Sequence, residues 1–467
     1  MPSTPDPGTA DRTVPAGTPE YAEALSCFNT LTVHRPARVI APTTDAEVVA
    51  AVARAREDGL RVGFQATGHG ARMVDGGALI STRRLDRIAV DPERRTATVG
   101  AGVRWADLQA AAGEHGLTGA AGSTGQVGVV GYTVNGGLGL LSRTLGFAAD
   151  RVRALTVVTG DGVLHRVDAE SEPDLFWALR GGGGLGLVTE LTFDLAPVPA
   201  LHAGSYYYAI DDAPSVLAQW LDWARTAPGS VSTSVAVLNV PDRPGLPPAI
   251  AGRRVLHLRY AEVGPPGPDA VVVAGFAAPV LGGIGPMACT DTGRIHNEPD
   301  DRKPSQQDSL LLDDLDHAGI ATFLDAAEAA GSSLIVSELR LMGGAMSAPP
   351  AVANAAPGRA ARFNLFALGA AAPDPAERDR LGVDAALDRL VDTMAVYGAG
   401  ATLPAFAGID RGADRIRAAW SPAELRRLSI IRTTYDPDDT FAPGLRWSPL
   451  PAGPAGPSPA ELSHPTR

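Results

Sequence analysis

The chain reads Gln65-Ala66-Thr67-Gly68-His69-Gly70 directly after an apolar segment, which places a histidine in a glycine-rich turn. Two more glycine runs follow, at Gly136-Gly137-Leu138-Gly139 and at residues 181–184. Glycine has no Cβ, so successive backbone N–H groups can converge on one anion. One such run is most often only a turn. Three runs in one half of the chain predict a long, phosphate-bearing ligand held by main-chain N–H groups, to which His69 could bond.

The residues around these runs alternate short strands with helices. Thr44 is a candidate N-cap for a helix over 45–58, where apolar residues recur at helical spacing. The other helices predicted up to residue 198 are 105–116 and 171–180, and the strands are 39–41, 60–64, 78–81, 88–90, 96–99, 155–158 and 163–167. The last two strands flank a Thr-Gly-Asp-Gly turn, which predicts a hairpin.

The composition changes after residue 199, where strands of an antiparallel sheet are predicted together with longer helices. The strands are 206–208, 231–239, 254–260, 334–341 and 361–368, and the helices are 214–227, 316–330, 374–397 and 422–434. This pattern indicates a second unit with its own sheet.

The sequence around the glycine runs resembles the FAD-binding domain of the vanillyl-alcohol oxidase superfamily, and within it the berberine-bridge-enzyme-like branch. The stretches that carry the resemblance are 35–42, 45–52, 68–69, 99–102, 128–131, 141–143, Asp150 and 180–184. The resemblance is close over residues 30–200 and returns at 435–441. It implies an FAD cofactor, with a middle segment that covers the flavin ring and shapes a substrate pocket.

The expected fold class is α+β: a two-domain PCMH-type FAD-binding fold, with a second α+β substrate domain built on an antiparallel sheet. The expected divisions are a disordered lead over 1–30, the FAD-binding domain over 31–198, the substrate domain over 199–418, a segment that returns to the FAD domain over 419–449, and a disordered tail over 450–467. The lead and the tail are assigned as disordered because both are rich in proline and poor in large apolar residues.

The composition excludes several other classes of protein. A net charge of −12 over 467 residues disfavours nucleic acid and anionic membranes as partners. No apolar run is long enough for a membrane span, and residues 1–18 lack the pattern of a signal peptide. Cys27 and Cys289 lie outside any metal-ligand spacing. We therefore expect free thiols, no metal site and a cytoplasmic location, and leave the oligomeric state open.

His69 occupies the position at which the resemblance implies a covalent bond to the flavin 8α-methyl carbon. A hydrogen-bonded histidine in a turn is the alternative. Many relatives add a second bond from a cysteine to the flavin 6-position, but Thr124 stands there in this chain, and its hydroxyl cannot form that thioether. The sequence therefore predicts FAD linked through His69 only.

Other positions carry further expectations about the flavin. Val127 resembles the residue of oxygen-reactive members and favours an oxidase, although a β-branched core residue explains it equally. Tyr132 stands where many relatives have a histidine at the N1–C2=O edge, and its hydroxyl could donate to the reduced flavin. Arg143 is either a contact of the ribityl and pyrophosphate region or a surface residue. The residues expected to bind FAD are His69, Thr67, Gly68, Gly70, Thr124, Val127, Gly128, Tyr132, Asn135, Gly136, Gly137, Gly139, Arg143, Asp150 and Val188.

The catalytic base is not identified by the resemblance. Many relatives have a Tyr-x-Asn stretch before the last helix, but residues 403–408 read Leu-Pro-Ala-Phe-Ala-Gly here. The candidate catalytic residues are Glu338, Tyr207 and Tyr132, with His296 and Tyr397 ranked behind them. Glu338 and Arg340 are two apart on one predicted strand, so a salt bridge is the alternative for Glu338. Without a base, the substrate must lose hydride readily, as an amine or an acidic phenol or enol would.

Three functions remain open from the sequence. The first is an oxidase that moves hydride from a small molecule, such as an alcohol, an amine or an oxidative-cyclisation substrate of secondary metabolism, to flavin N5, with molecular oxygen as acceptor. The second is a flavin dehydrogenase with another acceptor. The third is a flavin-fold cyclase or binding scaffold without redox turnover, which the missing tyrosine and cysteine motivate.

Overall fold

A computed structural model of the chain describes residues 12–198 and 200–441. Up to residue 198 the strands are β1 (Arg38–Ile40), β2 (Val62–Gln65), β3 (Ala78–Ser81), β4 (Ile88–Asp91), β5 (Thr96–Gly100), β6 (Leu117–Thr118), β7 (Val152–Val158), β8 (Leu164–Asp168), β9 (Leu187–Asp194) and β10 (Ala196–Pro197). The helices are α1 (Pro19–Leu25), α2 (Asp45–Glu57), α3 (Trp105–Gly113), α4 (Val129–Val134), α5 (Ser142–Leu145) and α6 (Pro173–Leu179).

From residue 200 onward the strands are longer. They are β11 (Leu201–Ala209), β12 (Val231–Asn239), β13 (Arg254–Val263), β14 (Leu281–Pro286), β15 (Ser305–Leu312), β16 (Val336–Leu341) and β17 (Phe363–Ala370). The helices are α7 (Ala213–Ala224), α8 (Asp269–Ala274), α9 (Gly293–His296), α10 (His317–Ala329), α11 (Pro375–Leu381), α12 (Val383–Met394), α13 (Ala413–Arg417) and α14 (Pro422–Tyr435). The single helix predicted over 374–397 is interrupted at Gly382, which has a left-handed backbone.

The first part of the chain forms two main sheets. A parallel sheet has the order β1-β3-β2, and an antiparallel sheet has the order β4-β5-β9-β7-β8. The predicted hairpin of β7 and β8 is present. Leu428 of α14 and Phe441 belong to the same apolar cluster as these strands, so the last described segment packs against the first part of the chain.

The second part is built on one antiparallel sheet with the order β14-β11-β13-β12-β16-β17-β15. One face of this sheet is apolar and packs on α7, α10 and α12 through side chains such as Trp220, Phe323 and Leu390. Residues on a strand alternate between faces, so the other face of the sheet is free to carry the polar residues of the same strands. The α+β fold class predicted from the sequence is confirmed.

The N-terminal lead departs from the prediction of disorder. Within it, α1 begins after Thr18, whose side chain accepts a hydrogen bond from Tyr21 N, and Pro19 occupies the first turn. Val14 N donates to Val39 O at 2.8 Å, so this segment is tied to β1. The predicted tail over 450–467 and the first eleven residues lie outside the described residues. Among the described helices, none has the length and apolar character to cross a membrane.

Candidate active site

The turn after β2 holds His69 in one fixed orientation. Its imidazole ring stacks on Phe28, with centroids 3.8 Å apart and planes 12° apart. Thr67 Oγ1 lies 2.9 Å from His69 Nδ1, and His69 Nε2 is buried with no hydrogen-bond partner. Buried polar atoms are nearly always partnered. The unpartnered nitrogen therefore marks a place where a ligand atom can bind.

A segment before β1 supports this turn from behind. Phe28 N donates to Thr67 O at 2.8 Å, and a Cβ on Gly68 would lie 2.7 Å from Cys27 Cα. Because Gly68 also has a φ of 75°, only glycine fits there without strain. Cys27 Sγ lies 3.2 Å from both His34 Nε2 and Gln65 Oε1, and burial raises the pKa of Cys27 to about 11. Cys27 is thus a protonated, structural thiol.

The electrostatics of the turn keep His69 neutral. Burial lowers the pKa of His69 to about 4; the charge of Glu298 opposes this shift and that of Arg104 adds to it. A neutral imidazole has a nitrogen lone pair available for a bond to carbon, whereas imidazolium does not.

The second glycine run packs around Tyr132 of α4. Gly137 has a φ of 75°, and a Cβ there would lie 2.5 Å from Ala148 Cβ and 2.7 Å from Tyr132 Cε1. The Tyr132 ring meets Trp105 edge-on at 5.5 Å, and its hydroxyl is buried without a hydrogen-bond partner. Burial raises the pKa of Tyr132 well above its usual range. The hydroxyl is therefore a neutral donor with an open bond, close to Gly139.

The loop between β6 and α4 carries the remaining predicted contacts of this region. Thr124 and Val127 are both half-buried, and Thr124 Oγ1 accepts a hydrogen bond from Gln126 N at 3.3 Å. Trp105 N donates to Val127 O, which fastens the loop to α3. Asn135 Nδ2 donates to Gly131 O within α4 and its cap.

Two predicted cofactor contacts have other partners. The Arg143 guanidinium is buried, and it donates to the carbonyl oxygens of Val231, Ala227 and Met342 in the second part of the chain. It is therefore not a surface residue. The Asp150 carboxylate accepts from Arg359 and Asn354, so it also joins the two parts of the chain.

Val188 is a buried residue of β9, next to a register irregularity against β7. It contributes to the apolar core of the first part. Thr67 contacts His69, and Gly128 faces Thr67, where a Cβ on it would lie 3.8 Å from Thr67 Oγ1. The structure thus brings Thr67, His69 and Gly128 together.

The seven-stranded sheet presents a polar face toward the first part of the chain. The register places Ser234 of β12 opposite both Arg259 and Arg340, and places Asn364 opposite Arg340. Directly opposed residues share a face. What we call the polar face consists of Tyr207, Ser234, His257, Arg259, Glu338, Arg340 and Asn364.

Glu338 is an ion-paired residue within the polar face. Its carboxylate lies 3.0 Å from Arg259 Nη1 and 2.8 Å from Arg340 Nε, and the residue is 2% exposed. Burial opposes ionisation, but the two guanidinium groups hold the pKa of Glu338 far below its usual range. The salt bridge that the sequence left as the alternative is present. A carboxylate held in this way is a weak proton acceptor.

The other candidate bases differ in their surroundings. The Tyr207 ring stacks on His257 at 4.0 Å, and burial raises the pKa of its hydroxyl. Tyr397 lies on the opposite face of the sheet, where its ring packs against Gly319 and its hydroxyl lies 3.3 Å from Thr322 Oγ1. Tyr397 is therefore not part of this site.

His296, at the end of α9, is a buried residue whose Nδ1 lies 3.4 Å from Glu298 Oε1. Burial lowers the pKa of His296 to about 4, Arg259 adds to the shift and Glu298 opposes it. Burial would raise the pKa of Glu298, but hydrogen bonds with His296 and Ser123 outweigh it and lower that pKa to about 2. His296 is therefore neutral near pH 7.

A cavity lies between residues 138–140 and strands β12, β13 and β16, and His296 and Met346 also line it. Its walls include Arg143, Arg259 and Arg340. Among the described residues, no group of three or more His, Cys, Asp and Glu side chains is arranged to hold a metal ion.

The sequence analysis did not predict Phe28, His257, Arg259 or Asn364 as residues of the site. For His257 and Arg259 a signal existed, since they are two apart in a strand whose other face is Leu256, Leu258 and Tyr260. Phe28 could not be found, because its contact with His69 joins segments that are separated by β1, α2 and β2.

Comparisons with known proteins find similar sequences and similar folds. A sequence profile of the "FAD binding domain" family matches residues 36–168. The chain is 29% identical over 235 residues to "Uncharacterized FAD-linked oxidoreductase YgaK" of Bacillus subtilis, covering 48% of this chain and 52% of that protein. It is 30% identical over 188 residues to (R)-6-hydroxynicotine oxidase of Paenarthrobacter nicotinovorans, covering 39% of this chain and 40% of that protein. The chain thus spans about half the length, or less, of these relatives.

Solved structures match over most of the chain. "Chitooligosaccharide oxidase" superposes with a TM-score of 0.77 at 19% identity, covering 92% of this chain and 95% of that chain. "Structure of FgChi7B" superposes with a TM-score of 0.79 at 19% identity, covering 95% and 97%. At such identities the match establishes the fold alone. Together with the sequence matches, it shows an FAD-binding domain over residues 36–168 and a similarity of this chain to FAD-linked oxidoreductases.

Proposed function

We propose that this chain is an FAD-dependent oxidase of a small-molecule substrate. The chemistry that FAD would supply there is acceptance of a hydride from a substrate carbon at N5, with transfer of the two electrons and two protons to O2 to give hydrogen peroxide. The observation that carries the proposal is His69: a neutral, stacked imidazole with a buried, unpartnered nitrogen, inside a sequence that matches an FAD-binding domain.

The residues present fit an FAD group. Gly68 and Gly137 allow close approach of the backbone, and the unpartnered His69 Nε2 and Tyr132 hydroxyl offer two polar contacts. Thr67 fixes the role of the other imidazole nitrogen. Thr124 has no thiol, so the proposed attachment is a single bond to His69. Tyr132, as a neutral donor, would stabilise negative charge that develops on the ring edge facing it.

The substrate would bind between the loop of the second glycine run and the polar face. His296 is the proposed proton acceptor, because it lines the cavity, is neutral, and has Nδ1 directed to Glu298. A proton on Nδ1 leaves the lone pair of Nε2 free to accept a substrate proton. Glu338 would then act as a positioning residue that holds Arg259 and Arg340.

Oxygen as the acceptor, a cytoplasmic location and the kind of substrate also belong to this proposal. Relatives that are named for an activity include (R)-6-hydroxynicotine oxidase and xylooligosaccharide oxidase. These names support an oxidase acting on a small molecule. Val127 also supports access of oxygen to the flavin, because it resembles the residue that oxygen-reactive members of the family have at this position.

The first experiment is acid precipitation of the purified protein followed by a visible spectrum of the pellet. We expect a yellow pellet for the wild type and a colourless pellet for His69→Ala. His115→Ala is the matched control, because His115 is exposed. A pellet that stays yellow in His69→Ala would contradict attachment through that imidazole.

A second experiment separates an oxidase from a dehydrogenase. The flavin is photoreduced without air and then mixed with air-saturated buffer while its absorbance is followed. Fast reoxidation with stoichiometric hydrogen peroxide is expected. Slow reoxidation would favour a dehydrogenase with another acceptor.

A further inference from the structure

The cavity beside the polar face has a strongly cationic wall. Three arginines line it, at Arg143, Arg259 and Arg340, and no aspartate or glutamate does. Arg143 donates its hydrogen bonds to backbone carbonyl oxygens, and none of these partners is a carboxylate that could neutralise its charge. Glu338 is ion-paired with Arg259 and Arg340 and does not line the cavity, and Glu298 is paired with His296. Buried charges are normally compensated, so this wall calls for a negative group in the cavity.

Arg259 has a hydrogen to donate. Its Nε donates to His257 Nδ1 at 3.1 Å. Its Nη1 is 3.0 Å from Glu338 Oε2, but the contact lacks hydrogen-bond geometry, and Nη1 is buried without a hydrogen-bond partner. Nη1 lies on a residue that lines the cavity.

His257 offers a second donor by an argument from its tautomer. Its Nδ1 accepts from Arg259 Nε and therefore carries no hydrogen. Burial and the charge of Arg259 lower the pKa of His257 well below its usual value, so the ring is neutral. The hydrogen of a neutral imidazole must then be on Nε2. This Nε2 is buried in a residue that is 0% exposed, and it has no partner.

Two more side chains extend the set of unsatisfied groups. Ser234 lies between Arg259 and Arg340 in the register, and its Oγ is buried without a partner. Asn364, opposite Arg340, is 0% exposed and has both amide atoms unpartnered. A native interior contains few such atoms. Five of them on β12, β13 and β17, most of them donors, define a surface for an acceptor-rich ligand.

We propose that Arg259 and Arg340, with Ser234 between them, bind an anionic oxygen group of the substrate, a carboxylate in the simplest case. This inference rests on the proposed function and narrows its substrate class to an organic acid. A cationic amine is disfavoured, because it would meet two guanidinium groups. An arginine pair suits a carboxylate, since planar guanidinium groups donate parallel N–H bonds to two oxygens.

The test uses the flavin-loaded protein and three probes of similar size: benzoate, benzyl alcohol and benzylamine, at neutral pH and fixed ionic strength. Binding is measured by calorimetry and, in parallel, by the change in the flavin spectrum. We expect benzoate to bind at least about tenfold more tightly than either other probe, as a charge-assisted hydrogen bond implies. Phenol at high pH is a fourth probe, and it compares the binding of a phenolate with the binding of a carboxylate.

Variants assign the effect to these residues. Arg259→Met should weaken the binding of benzoate about tenfold or more, and Arg259→Lys should recover part of that lost affinity. Ser234→Ala removes only a hydroxyl, so it can replace the arginine variant in the test if that variant fails to fold. It should weaken the binding of benzoate several-fold. Arg94→Met is the control, because the Arg94 side chain is 84% exposed and Arg94 does not line the cavity.

The proposal is overturned if benzylamine binds as tightly as benzoate, or if Ser234→Ala and Arg259→Met leave benzoate binding unchanged. Failure of the proposed function is a separate outcome. If the purified protein contains no flavin, the proposed function fails, but calorimetry still shows whether benzoate binds. If the flavin-loaded protein does not prefer benzoate, only the proposed substrate class fails.

Discussion

The His69 turn and the polar face of the seven-stranded sheet are both buried and polar, but they are built in opposite ways. The turn holds one unpartnered nitrogen beside an aromatic ring and a threonine, with a neutral histidine at its centre. The polar face holds two arginines, a glutamate and several unpartnered donors. The first suits one covalent bond in a fixed direction. The second suits recognition of a polar ligand by several weaker contacts.

The largest expected effect tests whether charge organises the polar face. Glu338→Ala leaves Arg259 and Arg340 buried side by side without their carboxylate, so we expect a loss of roughly 3–5 kcal/mol in the free energy of unfolding. Denaturant titration of the protein measures this. Glu338→Gln, which keeps hydrogen-bond acceptance by one oxygen, should lose less. The exposed Glu93→Ala should change little, and equal stability of Glu338→Ala and Glu93→Ala would contradict the ion-pair account.

The corresponding test of the turn is Phe28→Ala. The stacked ring fixes the imidazole, and such an aromatic pair contributes about 1 kcal/mol beyond burial. We expect a modest loss of stability together with a reduced fraction of covalent flavin in the acid pellet. Phe28→Tyr keeps the stack and should restore both. Full flavin attachment in Phe28→Ala would show that the stack does not position His69.

The pH dependence of the free energy of unfolding tests whether the interior of the His69 turn is neutral, in contrast to the charged polar face. The pKa of His69 is about 4 against an ordinary value of 6.5, so between these values the unfolded chain binds a proton that the folded chain does not. Stability of the flavin-free protein should therefore fall as the pH drops from 6.5 to 4. His69→Gln should show a shallower fall, with the remaining slope due in part to His296. An unchanged slope would mean that His69 is solvated.

The smallest expected effect concerns the Tyr132 hydroxyl. Because it is buried and unpartnered, Tyr132→Phe should leave the flavin-free protein equally stable or slightly more stable, within about 1 kcal/mol. In the flavin-loaded protein the same change should lower stability and shift the flavin spectrum. The two forms thus respond with opposite sign. A loss in the flavin-free protein would show that the hydroxyl has a partner there.

The two regions also differ in how far the sequence predicted them. The α+β fold and the His69 turn followed from local signals: glycine runs, a capped helix at Thr44 and a continuous motif. Of the polar face, the sequence predicted only Tyr207, Glu338 and Arg340, because a tyrosine or two charged residues on one strand can be recognised without the strand order. Its remaining members come from β12, β13 and β17, and strand order is a tertiary property.

Arg143 and Asp150 show a second limit of the sequence. Their place in a motif predicts contacts with the cofactor, and their described hydrogen bonds also join the two parts of the chain. A motif fixes the course of the backbone. The direction of a long side chain depends on what packs against it, and that information lies in residues 227–231 and 342–359.

The most direct test of the central claim is tryptic peptide mapping of the purified protein by mass spectrometry. Cleavage after Arg61 and Arg72 yields the peptide 62–72, which contains His69, and cleavage after Arg104 and Arg143 yields 105–143, which contains Thr124. We predict that the peptide 62–72 carries the mass of the flavin, with the attachment at His69, and that 105–143 carries none. Flavin on 105–143, or on neither peptide, would contradict the account.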